Sequence, residues 1–174
     1  MNFHQLPKAQ GLYDPQFEHD ACGIGMYANM KGKPSHQIVK NGLEMLCRLE
    51  HRAGRGGDGK TGDGAGLMVQ IPDAFFKLNC PELNLPEKGA YGVGQMFFTD
   101  NTDERIQIEH KMNELIAEEG QQLIGWRTAP TNKENLSEIA KSSAPVVRQV
   151  FIQSNASDAK SFERKLYVIR KQLE

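Results

Sequence analysis

Apolar positions along the chain fall into short runs of strand type separated by stripes of helix type. Ala21-Cys22-Gly23-Ile24-Gly25-Met26-Tyr27-Ala28 reads as a short strand carrying small residues. Turn chemistry follows at Lys31-Gly32-Lys33-Pro34, and Ser35 is a candidate N-cap. After it Ile38, Val39, Gly42, Leu43, Leu46, Cys47 and Leu49 recur at helical spacing, which predicts an amphipathic helix over 35–50. Leu67–Ile71 reads as a strand stopped by Pro72, then a short helical piece covers 73–78 and a proline-bearing loop 81–88. Tyr91–Thr99 is the next strand. Asp100 is placed to cap a helix over 102–119 that buries Ile108, Met112, Leu115 and Ile116 and closes at Gly120. A strand at 122–128, a short helix at 136–141, a strand at 146–153 and a helix at 158–174 complete the pattern. This alternation predicts a mixed α/β fold. The last helix is followed by no cap, which suggests a larger unit cut short.

Length, 174 residues, suits one domain with a real core. Hydrophobic residues make up 39% and charged residues 25%, so wholesale disorder is excluded. Lys+Arg total 21 against 22 Asp+Glu, a net charge of -1, which argues against a basic nucleic-acid face. Apolar runs are too short for a membrane span, and residues 1–20 lack the apolar stretch of a secretory signal. Three cysteines without an export signal indicate reduced thiols in a cytoplasmic protein, and Cys22, Cys47 and Cys80 have no metal-ligand spacing. Cys47 sits on the apolar stripe and is expected in the core, while Cys80, before Pro81, is expected as a free loop thiol.

Glycine is the informative excess: of 17, seven lie between Gly54 and Gly66. Gly54-Arg55-Gly56-Gly57-Asp58-Gly59-Lys60-Thr61 satisfies the phosphate-loop pattern G-x-x-x-x-G-K-[ST] letter for letter. That pattern works when a strand enters and a helix leaves. Here a helix enters, and Gly62-Asp63-Gly64-Ala65-Gly66 leaves, too glycine-rich to start a helix. Asp58 and Asp63 add negative charge where a phosphate would lie. A P-loop-like nucleotide binder is therefore the weakest of the functional readings.

His19-Asp20-Ala21-Cys22-Gly23-Ile24-Gly25 is a different signal. A leader ends in a small residue, and a cysteine opens an apolar strand. Were the Ala21–Cys22 bond cut, the new α-amine, with a reference pKa of about 7.7–8.0, would take the proton of the adjacent thiol near neutral pH. The thiolate would then attack a carbonyl carbon. The alternative is a small buried hydrophobe in a strand, and spacing alone leaves both open. His19 and Asp20 either assist the cleavage or serve turn hydrogen bonds. Trp126 reads as core or sheet edge, and Arg164, Lys165, Arg170 and Lys171 as a solvated face.

The segment from His19 to Gly25, then His51-Arg52, then Thr61-Gly62-Asp63-Gly64-Ala65-Gly66, closely resembles the class II, N-terminal-nucleophile glutamine amidotransferase domain that opens the bacterial glutamate synthase large chains. Gln10-Gly11-Leu12-Tyr13, Gly125-Trp126-Arg127 and the stretch from Phe162 to Arg170 look like the same family, so the likeness runs through essentially the whole chain, in order.

By that resemblance the fold is α+β, part of an Ntn-hydrolase αββα sandwich with two antiparallel sheets, incomplete at its C-terminus. Residues 1–21 would be a propeptide, and 22–174 the N-terminal part of the amidotransferase domain. Cys22 would be the catalytic nucleophile, releasing ammonia from L-glutamine through a thioester for L-glutamate synthesis from 2-oxoglutarate. Arg52 would bind the substrate α-carboxylate, a task that suits the guanidinium fork, and His51 would support it. The chain itself would hold no cofactor and no metal. FMN and an iron–sulfur cluster are implied for the full-length enzyme, with the rest of the large chain and a small reductase subunit as partners, and no nucleic acid or membrane. Two departures stand out. The family has His-Arg-Gly where this chain has His51-Arg52-Ala53. Its Asn-Gly oxyanion pair has no counterpart except Asn41-Gly42, which falls inside the predicted helix. The competing expectation is therefore a non-catalytic truncated fragment of the same domain.

Overall fold

The computed structural model describes Gly11, residues 23–54, Gly56, residues 58–62 and residues 64–174, without the side chain of Arg52. The chain divides into two compact units, Met1–Met68 and Val69–Glu174.

In the first unit the described regular structure is helix α1 (His36–Arg48) and a 3₁₀ turn, Glu50–Arg52. Ser35 caps α1 as predicted, its hydroxyl accepting the Gln37 N–H at 3.0 Å. Gly42 is the one buried residue of α1, because Leu67 lies against it: a Cβ there would stand 2.8 Å from Leu67 Cδ1. The glycine of the Asn-Gly pair thus serves packing. Cys47 is exposed, contrary to the expectation of core packing. The contact stripe is centred on Gly42, and a residue five positions on is rotated about 140° away from it.

The predicted strand at Ala21–Ala28 is not formed over its described part, and Leu67–Ile71 is not a strand either. Apolar runs propose strands, but a strand exists only when its N–H and C=O groups find a neighbouring ladder. Among the described residues neither run has one. Ile24 is 90% exposed and Met68 98%.

The second unit is an antiparallel three-stranded sheet with helices packed on it. β1 (Tyr91–Phe98), β2 (Gln122–Thr128) and β3 (Val146–Gln153) are ordered β1–β3–β2, with Tyr91 opposite Gln153 and Trp126 opposite Val150. Period-two alternation divides β3 between two cores. Val150 and Ile152 join Met112, Leu115 and Ile116 of α3 (Thr102–Glu118) and Phe162 and Ile169 of α5 (Ala159–Leu173). Phe151 faces the other way, against Phe76 of α2 (Asp73–Asn79), Cys80 and Tyr91. Cys80 is consequently a free thiol sealed in a core, at 1% exposure, rather than one in an open loop. The short helix α4 (Glu138–Ser142) is capped by Ser137, whose hydroxyl accepts the Ala140 N–H at 3.1 Å.

Met112, Leu115 and Ile116 of the predicted stripe of α3 are buried, while Ile108 is only half-buried, and the cap is Asn101, not Asp100. Asn101 Oδ1 accepts the Asp103 and Glu104 N–H groups at 3.0 and 3.2 Å. The residue directly before the first helical position is the one whose side chain reaches those donors. The helix closes at Gly120, whose N–H reaches the Ala117 carbonyl at 2.9 Å. Trp126 lies on the edge strand β2, with its indole N–H donating to Asn113 Oδ1 at 3.1 Å and the Arg148 guanidinium 5.6 Å from its ring centre. The fold is thus mixed α/β with an antiparallel sheet.

Candidate functional site

The residues singled out by the sequence belong to the first unit. Cys22 lies outside the described residues, as do His19 and Asp20. Arg52 ends the 3₁₀ turn that leaves α1, and the turn is closed by the Ala53 N–H on the Glu50 carbonyl at 3.0 Å. At Ala53 the backbone is extended, with φ -84° and ψ 135°. That conformation is open to any L-residue, so alanine in place of the family glycine carries no backbone strain here. His51 turns back: its Nδ1 lies 2.9 Å from the Arg48 carbonyl oxygen, in the last turn of α1. It braces the helix end.

Beyond Arg52 the glycine-rich loop is folded on itself. Gly56 N–H donates to the Thr61 carbonyl at 2.7 Å, and Gly59 N–H to the Gly56 carbonyl at 2.9 Å. Gly59 has φ +66°, which an L side chain rarely adopts. Asp58 Oδ1 accepts the Lys60 N–H at 3.0 Å and the Thr61 N–H at 2.8 Å, while the Thr61 hydroxyl donates to Oδ2 at 2.5 Å. Among the described residues, the Lys60 and Thr61 N–H groups are taken by an internal carboxylate and those of Gly56 and Gly59 by carbonyls of the loop itself. A phosphate here would have to displace a covalently tethered anion, and among the described residues no helix begins before Asp73 to add its dipole. Asp58 is the residue that reading for catalysis passed over. The signal was present, since an Asp followed by Gly and a hydroxyl residue three positions on is turn chemistry in which the side chain caps the loop.

A groove of about 440 Å³ opens at the other end of α1, lined in part by Tyr27, Asn29, Ser35, Gln37, Ile38 and Asn41. Asn41, the lining residue farthest along α1, lies seven residues before its last residue, Arg48, about 10 Å of helix rise, and the Arg52 turn comes after that. The groove and the Arg52 loop are therefore distinct features. Asn41 accepts the Gln37 side-chain N–H at 2.8 Å, within α1. Among the described residues no group of His, Cys, Asp and Glu is placed to hold a metal ion. Nor, among them, is any helix long and apolar enough to cross a membrane.

The family model for class II glutamine amidotransferases matches residues 22–174, beginning on Cys22 itself. The chain is 61% identical over 176 aligned residues to the glutamate synthase [NADPH] large chain of Bacillus subtilis, covering 100% of this chain and 12% of that protein. It is 35% identical to the glutamate synthase [NADH] of Schizosaccharomyces pombe, over 96% of this chain and 8% of that one. It is 36% identical to the ferredoxin-dependent glutamate synthase 1 of Arabidopsis thaliana, over 97% of this chain and 10% of that one. The chain thus spans no more than about an eighth of the length of these relatives. A family match over residues 22–174 establishes that the chain belongs to the class II glutamine amidotransferases.

Proposed function

We propose that this chain is the amino-terminal part of the glutaminase domain of a glutamate synthase, with Cys22 as its nucleophile. The observation that carries the reading is the family match that opens on Cys22, joined to the 61% identity with a synthase large chain. Removal of residues 1–21 frees the Cys22 α-amine, which takes the thiol proton. The thiolate adds to the side-chain carbonyl carbon of L-glutamine, and the amine returns the proton to the departing nitrogen as the C–N bond breaks. Ammonia leaves and a γ-glutamyl thioester remains. Water then adds to the thioester, giving L-glutamate and the free thiol. The ammonia is used on 2-oxoglutarate elsewhere in the synthase. Arg52 binds the substrate α-carboxylate with its bidentate fork.

The finer fold belongs to the same reading: an αββα sandwich with two antiparallel sheets, of which this chain holds part. FMN, an iron–sulfur cluster and a small reductase subunit would belong to the remainder of such an enzyme. Iron–sulfur clusters are held by gathered cysteine thiolates. Here Cys80 is sealed among Phe76, Tyr91 and Phe151, so the described residues do not fit one. A specific observation also favours a weakly active chain in isolation. Gly42 is buried inside α1, so Asn41-Gly42 cannot serve as the oxyanion pair, and loss of one such donor costs about 10²–10³ in rate.

The test is Cys22→Ala in the full-length enzyme. Glutamine-dependent glutamate synthesis is lost while ammonia-dependent synthesis is retained. Equal loss of both contradicts the role given to Cys22.

A further inference from the structure

We infer that Asp58 is a positioning residue whose carboxylate clasps the 54–62 loop and thereby fixes Arg52 at the loop's entrance. The inference rests on the proposed role of Arg52 and deepens it.

The clasp uses both carboxylate oxygens, which take two backbone N–H groups and the Thr61 hydroxyl. Thr61, held by Asp58, in turn accepts the Gly56 N–H at 2.7 Å, and next to it the ends of the loop meet, since a Cβ on Gly62 would stand 3.3 Å from the Gly54 carbonyl oxygen. Arg52 is two residues upstream of Gly54. On its other side the Ala53 N–H closes the 3₁₀ turn on the Glu50 carbonyl, and Leu49, between turn and helix, donates its N–H to the Met45 and Leu46 carbonyls of α1 at 3.1 Å. The backbone carrying Arg52 is thus held from the helix before it and from the closed loop after it. Glycine-rich backbone has the most conformational freedom to lose on ordering. Three hydrogen bonds to one short, stiff side chain supply what the glycines lack. If a guanidinium must meet a substrate carboxylate in bidentate geometry, a displacement of an ångström is costly.

The clasp needs acceptors in place, not a net charge. Asparagine preserves them, because its carbonyl can accept the Lys60 and Thr61 N–H groups while its amide donates to the Thr61 hydroxyl. Alanine removes all three bonds. Thr61→Val removes only the hydroxyl bond.

Two readouts test this. Hydrogen exchange on the 174-residue chain should show the Lys60 and Thr61 amides released in Asp58→Ala, kept in Asp58→Asn, and β3 amides unchanged in both. In the full-length enzyme, Asp58→Ala should raise the glutamine KM about tenfold, leaving ammonia-dependent synthesis unchanged, while Asp58→Asn stays within about twofold. Thr61→Val should fall between them, and serves if Asp58→Ala fails to fold. An unchanged KM in a variant whose loop amides are released overturns the inference. So does an Asp58→Asn enzyme as impaired as Asp58→Ala, which would show that the charge itself acts. Failure of the functional reading looks different: Cys22→Ala would keep glutamine-dependent activity whatever Asp58 does.

Discussion

The Tyr91 hydroxyl donates to Asp73 Oδ1 at 3.0 Å and ties the start of α2 to the start of β1. Asp73 is also paired with Lys77, 3.2 Å away. Burial first, then the hydrogen bond and the charge of Asp73, push the Tyr91 phenol from its ordinary 10.0 up to about 12. A group whose pKa is raised on folding lends stability that is whole below its unfolded value and vanishes as pH climbs through its folded value. The Tyr91 contribution is therefore complete below pH 10 and lost between pH 10 and about 12. Tyr91→Phe should cost about 1 kcal/mol at neutral pH. It should also flatten the alkaline slope of stability relative to the parent chain. Urea titrations of both proteins from pH 8 upward check this, and parallel slopes would count against the assignment.

The cap of α3 gives a sharper discrimination. Asn101→Ala removes the acceptor of two N–H groups and should cost about 1 kcal/mol. Asp100→Ala, one residue earlier, should change stability by less than about 0.5 kcal/mol. Urea midpoints of the two variants decide which residue caps the helix.

Magnesium-dependent ATP binding should be undetectable by calorimetry, and Lys60→Ala should alter nothing measured. The Lys60 and Thr61 N–H groups are already engaged by Asp58. Tight ATP binding abolished by Lys60→Ala would revive the nucleotide reading.

Arg52→Ala should raise the glutamine KM by about 10²-fold in the full-length enzyme, with Arg52→Lys recovering part of the loss, because lysine keeps the charge but not the fork. Equal KM values for alanine, lysine and arginine at this position would remove Arg52 from the substrate site.

Where the sequence was legible, the information was local. The stripe Met112, Leu115 and Ile116 carries its own period and the structure buries those side chains, and the strand at 146–153 stands where it was read. Capping was legible to within a residue: Ser35 was right, and Asp100 stood one position early. The segments at 21–28 and 67–71 show the limit. Their apolarity was read correctly, but pairing depends on a partner strand that no local pattern names. Cys47 shows the same limit on a helix, where the face that packs was set by Gly42 and Leu67. At the site, the phosphate-loop letters were outweighed by what surrounds them, and the structure adds the reason, an aspartate filling the place of the anion. The role of Cys22 came from the family resemblance, since spacing alone left nucleophile and buried hydrophobe open.

The proposed chemistry depends on the state of one residue, and the most direct measurement is the amino-terminal sequence and intact mass of the mature full-length enzyme alongside its glutamine-dependent rate. The active protein should begin at Cys22, with residues 1–21 removed. An enzyme that still carries Met1 to Ala21 and deamidates glutamine at full rate would contradict it.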